Sequence, residues 1–254
     1  MSTCKKARAE ATSFVGSDRL SSLPPEIKGD ILSRLKVEEA VRTSILSSTW
    51  RDAWANMPAI SLRNGDFART KFVMLVDMVL ALYKGTIEEF DISGKQCHVI
   101  GKLSGIKKLG IIGTFMKGCI LTKLPAVFTR LEDIGFMINF EDQRQVLTAC
   151  SLLQNAPNLK KLLMWSDSSS TWDQDQASIQ ELTLQMQMDH LITACVKCFQ
   201  GLDYEVEFVG KLLSCAPALE ELKIEWEGEM ARSIVLTKLL ALPRVSPRAK
   251  IIVT

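Results

Sequence analysis

The sequence predicts an α/β chain in which a small N-terminal module of helices is followed by a short curved stack of strand-and-return units. Three observations predict it. Residues 23–54 carry apolar side chains at helical spacing, a six-residue apolar template recurs between residues 87 and 224, and a longer segment at 152–162 reappears at 212–222.

Residues 1–17 are polar and read as a disordered leader, and the cluster Lys5, Lys6, Arg8 within it as a solvated terminus. Leu23-Pro24-Pro25-Glu26-Ile27 then opens a helix. Proline is tolerated there because first-turn N–H groups have no intrahelical acceptor. Ile27, Ile31, Leu32 and Leu35 fall on one apolar stripe. A second short helix is expected to carry Val41 and Ile45, and a third Leu46, Trp50 and Trp54. Forty or so residues bury too little apolar surface to be comfortable alone. The blocks Leu23-Pro24, Ile31-Leu32-x-x-Leu35 and Leu46-Ser47-x-x-Trp50-Arg51, in this order within residues 18–62, resemble the F-box. That resemblance implies docking onto the Skp-type adaptor of cullin-based ubiquitin ligases. Leu23, Pro24, Ile27, Ile31, Leu35 and Trp50 would form the adaptor surface.

After a turn at Arg63-Asn64-Gly65-Asp66, a helix is expected from about Phe67 to Lys84, ended by Gly85. Phe72, Val73, Leu75, Val76, Val79, Leu80 and Leu82 make it apolar almost all round, so it should be covered on several sides and bridge the N-terminal module to the rest.

The template follows as Ile87-x-x-Phe90-x-Ile92, Ile106-x-x-Leu109-x-Ile111, Leu131-x-x-Ile134-x-Phe136, Leu159-x-x-Leu162-x-Met164 and Leu219-x-x-Leu222-x-Ile224. The long gap before the last copy has room for another at Ile179-x-x-Leu182-x-Leu184. A period in the twenties is the signature of leucine-rich repeats, in which each copy adds one strand and neighbours supply the core. The first, fourth and sixth positions should face inward and the third, fifth and seventh outward. Alternation thus gathers Ile112, Met137, Leu163 and Trp165 on the open face, an apolar cluster suited to binding a protein target. The glycines at 101, 105, 110 and 113 fit no nucleotide-binding fingerprint and read as repeat turns. The stretch 92–105 is irregular, and the polar segment 166–178 reads as a surface loop.

Leu152-Leu153-x-x-Ala156-Pro157-x-Leu159-x-x-Leu162 matches Leu212-Leu213-x-x-Ala216-Pro217-x-Leu219-x-x-Leu222. The unit is helix, Ala-Pro break, strand, because proline cannot continue the helix and biases its predecessor to extended geometry. The wider run from His190 through Phe199-Gln200-Gly201 and Glu205–Val209 to Leu222, with the ending Ser246–Val253, resembles the FBD module that follows leucine-rich repeats in a class of plant F-box proteins. The expected organisation is an F-box at 18–62, bridging helix and repeats at 63–188, and an FBD-like strand-helix-strand module at 189–254.

Composition excludes several function classes. Lys plus Arg number 31 against 29 Asp plus Glu, which gives no electrostatic footprint for nucleic acid or an anionic membrane. No apolar run is long enough to span a bilayer, and seven scattered cysteines read as reduced thiols, so an intracellular protein of cytoplasm or nucleus is expected. With His98 and His190 alone, a histidine-centred triad has little material, and no cofactor motif occurs. Cys195-Val196-Lys197-Cys198, near His190 and Cys215, invites a zinc site and with it a nucleic-acid binder. On a regular strand, however, residues three apart point to opposite faces, so no metal is expected. The resemblance implies a noncatalytic substrate receptor of an SCF-type ubiquitin ligase, reaching cullin through the adaptor. The alternative is an F-box protein whose shortened repeat array competes for adaptor without delivering a target.

Overall fold

The computed structural model describes residues 19–43, 45, 47–62, 69–93, 100, 103, 105–112, 127–167, 187–229 and 231–254. Among the described residues eight strands form one sheet, every neighbouring pair parallel and the spatial order identical to the chain order. They are β1 (Ala59–Leu62), β2 (Glu89–Ser93), β3 (Lys108–Ile112), β4 (Asp133–Ile138), β5 (Lys161–Ser166), β6 (Thr193–Phe199), β7 (Glu221–Trp226) and β8 (Lys250–Val253). Parallel neighbours need a crossover of a dozen or so residues, and helices supply several of them here. α3 (Arg69–Leu82) joins β1 to β2, α4 (Gln143–Gln154) joins β4 to β5, α5 (Asp203–Cys215) joins β6 to β7, and α6 (Arg232–Leu240) joins β7 to β8. α1 (Pro25–Leu32) and α2 (Val37–Thr43) precede the sheet.

The buried face of the sheet is set by the template. Leu131, Ile134, Phe136, Leu219, Leu222 and Ile224 are fully buried and share one core with Phe72 and Val76 of α3, Leu152 of α4, Phe208 and Leu212 of α5 and Leu239 of α6. The opposite face carries no helix among the described residues, and its side chains are half-buried or exposed. Such one-sided coverage is what alternating strand residues encode.

Two strands carry copies of the template that the sequence reading did not assign. Met57-x-x-Ile60-x-Leu62 places β1 in register with β2, so the end of the N-terminal module is already sheet. Leu191-x-x-Ala194-x-Val196 places β6 directly beside β5. The copy expected at 179–184 lies outside the described residues, as do most of the 94–104 and 168–178 stretches.

Other expectations change in detail. α1 begins at Pro25 as predicted, but its stripe divides: Lys28, Gly29 and Leu32 face the core while Ile27, Ile31 and Leu35 remain 44%, 40% and 40% exposed. The second helix stops at Thr43, leaving Ile45 exposed in a turn. In place of a third α-helix, turns lead through Trp50 into a single 3-10 turn at Ala53–Asn56; Leu46 is outside the described residues. A side-chain carbon at Gly29 would lie 2.7 Å from the Asn56 carbonyl oxygen, so α1 rests directly on the backbone at the end of this turn.

α3 does bridge. The N–H groups of Lys84 and Gly85 donate to the Ala55 carbonyl at 2.9 and 3.1 Å, the Tyr83 hydroxyl donates to the Met57 carbonyl, and Lys84 pairs with Asp52 at 3.2 Å. Burial, reinforced by Glu88, pushes the Tyr83 pKa up to about 12, so this donor stays protonated. The helix is nevertheless covered on one side only, since Met74, Met78 and Leu82 are 71%, 48% and 52% exposed. The residues four apart form a bare ridge instead of a second contact.

Candidate functional site

Two surfaces gather the residues singled out by sequence. The first lies on α1. Ile27 and Ile31, one turn apart, point away from the core together with Leu35 just beyond the helix end, and Leu20 and Ile45 add exposed apolar area. Pro24 is exposed and Leu23 half-buried beside them. Below this ridge the buried Lys28 ammonium donates to the Ser21 carbonyl at 2.8 Å and stands 5.7 Å from the Trp50 ring. Trp50 is thus partly a packing residue: it lies against the core and beside a cation that also donates to the Ser21 and Thr49 carbonyls.

The second surface is the bare face of the sheet. Ile112 is 36% exposed, and Met137, Leu163 and Trp165 are half-buried. Register places Met137 beside Trp165 and Gly135 beside Leu163, with Ile112 at the end of the next strand. Gly110, expected in a turn, lies mid-strand in register with Gly135. The reason is room. A side-chain carbon at Gly110 would collide with the Asp91 carboxylate, and one at Gly135 would lie 3.3 Å from the Trp165 ring edge. Sequence alternation could locate these glycines on the outer face, but not the side chains that fold over them.

At the start of the strands runs a ladder of charge. Glu88 and Glu89 precede or open β2, Lys107 and Lys108 β3, Glu132 and Asp133 β4, Lys160 and Lys161 β5, and Glu220 and Glu221 β7. Glu88–Lys107 pair at 2.9 Å, Glu132–Lys160 at 3.1 Å, and Glu89 with Lys108. β6 interrupts it with Ile192 and Thr193. His190 lies at this edge, in an open cleft of about 380 Å³ lined also by Arg130 and Lys160. Burial raises the Asp133 pKa, an effect that Lys161 and Lys108 partly offset.

The cysteine cluster differs from expectation in geometry. A bulge between Val196 and Phe199, with Cys198 at φ 55°, breaks the alternation, so both Cys195 and Cys198 are half-buried and neither lies in the core. The opposite-face argument against zinc therefore does not apply, although among the described residues no three His, Cys, Asp or Glu side chains are grouped as a metal site. Cys150, Cys195, Cys198 and Cys215 are free thiols; the other three cysteines lie outside the described residues. Among the described residues no helix is long and apolar enough to cross a membrane.

Residue 205 was named by sequence only as part of a longer match, and it is a buried carboxylate. Glu205 accepts from the N–H groups of Gln200 at 3.1 Å and Leu202 at 2.9 Å and from the Ser166 hydroxyl at 2.5 Å, which ties β5, the β6–α5 turn and α5 together.

Comparison with known proteins identifies the N-terminal module. Residues 20–60 match the F-box domain model. Over 82% of its length the chain is 28% identical to an F-box/FBD/LRR-repeat protein of Arabidopsis thaliana, of which it covers 39%. A second F-box/FBD/LRR-repeat protein of that plant is 37% identical over 32% of this chain and 22% of its own length, and an FBD-associated F-box protein 47% identical over 21% and 12%. The chain spans less than half the length of the curated relatives it matches. On these matches the chain carries an F-box domain at residues 20–60 and resembles the F-box/FBD/LRR-repeat proteins of plants.

Proposed function

We propose that this protein is a noncatalytic substrate receptor of an SCF-type ubiquitin ligase. The observation that carries the reading is the exposed ridge of Ile27, Ile31 and Leu35 on a module matching the F-box. Apolar residues spaced along a helix and left uncovered are what a partner helix or groove buries. Leu23, Pro24 and the edge of Trp50 complete the adaptor surface. The parallel stack is read as a leucine-rich-repeat solenoid, with residues 63–188 as bridge and repeats and 189–254 as an FBD-like closing module. Its bare face, centred on Ile112, Met137, Leu163 and Trp165, takes the target.

The mechanism is proximity. A target lysine fixed near the charged conjugating enzyme reacts in a nearly intramolecular encounter, and the receptor supplies no acid, base or nucleophile.

Ile31→Asp places a charge at the centre of the ridge and should abolish adaptor pull-down, with circular dichroism unchanged because Ile31 is outside the core. Undiminished pull-down would remove the adaptor assignment. For the target face, a Trp165→Ala, Leu163→Ser double variant should retain adaptor binding and lose ubiquitin conjugation of copurified target. Adaptor and cullin recovered from the parent protein with no conjugated target at all would favour the competitor reading instead.

A further inference from the structure

The geometry points to an amphipathic helix as the part of the target this face holds, lying across the strands with one apolar residue per turn and an acidic residue one turn beyond; the inference rests on the receptor reading above. Register sets Ile112, Met137 and Trp165 side by side at the ends of β3, β4 and β5, so the apolar row runs at right angles to the strands. Leu163 widens the row on β5, and Lys197 continues it on β6. Beside the row the face is level. Gly110 and Gly135 carry no side chain, and their places are taken by the Asp91 carboxylate and by the edge of the Trp165 ring, which leans across toward β4.

An extended segment and a helix fit such a row differently. From β2 to β7 every strand is paired on both edges, so a chain laid over the face gains no backbone partner from the sheet. An extended target would lose water from its own N–H and C=O groups above Ile112 and Met137 without replacement, whereas a helix satisfies those groups internally. Spacing agrees. Strands stand about 4.8 Å apart and helix turns about 5.4 Å, so over three strands the two drift by only about 1 Å. Alternate residues of an extended chain, about 6.7 Å apart, drift by about 4 Å. Charge fixes the end. Next to Trp165, Lys197 and Lys223 share the single Glu225 carboxylate at 3.3 and 2.9 Å. An ammonium has three donors, so both lysines keep Glu225 and still reach a second carboxylate. An acidic side chain one turn past the residue over Trp165 brings that carboxylate, and the negative end of the helix dipole lies over the same lysines.

The test uses the full chain and fluorescein-labelled four-turn peptides of alanine and glutamine, followed by fluorescence anisotropy at low salt. The parent peptide carries leucine at three successive turns of one face and glutamate one turn later. Three comparators replace the glutamate with lysine, scatter the leucines around the helix, or place proline at the centre. The parent should bind about tenfold more tightly than each comparator. A Lys197→Gln, Lys223→Gln double variant should erase the preference for glutamate over lysine and leave the proline penalty, while Trp165→Ala should weaken the parent peptide. Equal binding of the parent and proline peptides overturns the inference, as does equal binding of the glutamate and lysine peptides, a preference that survives the double variant, or no peptide binding at all. A dimer of the chain that excludes the peptide, seen by light scattering, overturns it in favour of a second copy on this face. Proline-peptide binding that equals the parent's and still needs Trp165 removes the helix but keeps the target face. Peptide binding indifferent to Trp165→Ala removes the target face itself. Comparison of the four peptides on the unaltered protein supplies the answer even where a variant melts early.

Discussion

The segment β4–α4–β5 and the segment β6–α5–β7, sixty residues further on, are the same structure built twice. Asp133–Ile138 corresponds to Thr193–Cys198, Gln143–Gln154 to Asp203–Ser214, and Lys161–Ser166 to Glu221–Trp226. Their buried sides agree almost position for position, Ile134 with Ala194, Leu152 with Leu212, Leu159 with Leu219 and Met164 with Ile224. Their outer sides do not. The first copy shows Met137, Leu163 and Trp165, whereas the second shows Cys195, Lys197, Lys223 and Glu225, joined by Lys197–Glu225 at 3.3 Å and Lys223–Glu225 at 2.9 Å. Inward positions specify a fold that both copies need, and outward positions are free to specialise.

The strand-to-helix corner also differs. In the first copy Asp142 caps α4 by accepting from the Arg144 N–H at 2.9 Å, and neutral Gln145 accepts from the Asn139 N–H at 3.0 Å. In the second, Gly201 turns at φ 81° and Glu205 gathers three donors. Gly201 is buried against Trp226 and Val235. Grafting the first copy's residue by Gly201→Glu should therefore cost the most, at least about 3 kcal/mol in denaturant unfolding, from left-handed backbone strain together with steric overlap. The reverse change, Glu141→Gly, should cost under about 1 kcal/mol. Equal costs would show that the two corners share one conformation.

A smaller difference is expected at the third residue of each helix. Glu205→Ala orphans two N–H groups and a hydroxyl and should destabilise by about 2–4 kcal/mol, against about 1–2 kcal/mol for Gln145→Ala. Chemical denaturation of both variants measures the gap, and no gap would mean the buried carboxyl group adds nothing over the amide.

The smallest effect is on thiol chemistry. Burial pushes the Cys150 pKa in α4 and the Cys215 pKa at the end of α5 up to about 11. Both thiols are therefore almost wholly protonated at pH 8, and their alkylation in folded protein should keep rising with pH until about 11. Mass spectrometry after timed iodoacetamide exposure checks this. A plateau near pH 9 would indicate thiols with ordinary values, and denatured protein should count all seven.

Much of this architecture was legible because buried strand residues repeat with period two and buried helix residues with period 3.6. Five of the eight strands follow the template read from sequence. β1 escaped because Met57, Ile60 and Leu62 sit where the helical module was taken to end. β6 was legible as a strand but not as a template copy, because Ala194 stands where larger residues mark the others. Side-chain lean was not legible at all. Alternation says that Trp165 faces outward, but its lying over Gly135 depends on what the neighbouring strand omits. The split stripe of α1 illustrates the same limit, since spacing identifies an apolar face without saying whether core or partner covers it.

The charged ladder at the strand starts works as a parity code. Signs run negative, positive, negative, positive from β2 to β5, fall neutral at β6, and resume negative at β7 and positive at Lys250 of β8. Loss of β3 or β4 alone, or a single rung inserted between β2 and β5, would bring like charges together at strand spacing, which disfavours the pairing, whereas an adjacent pair of rungs preserves every contact. Beside β6 the rule is suspended, because Thr193 meets either sign without penalty. Such a stack can change length by twos within the charged run and by ones beside its neutral strands, β1 and β6.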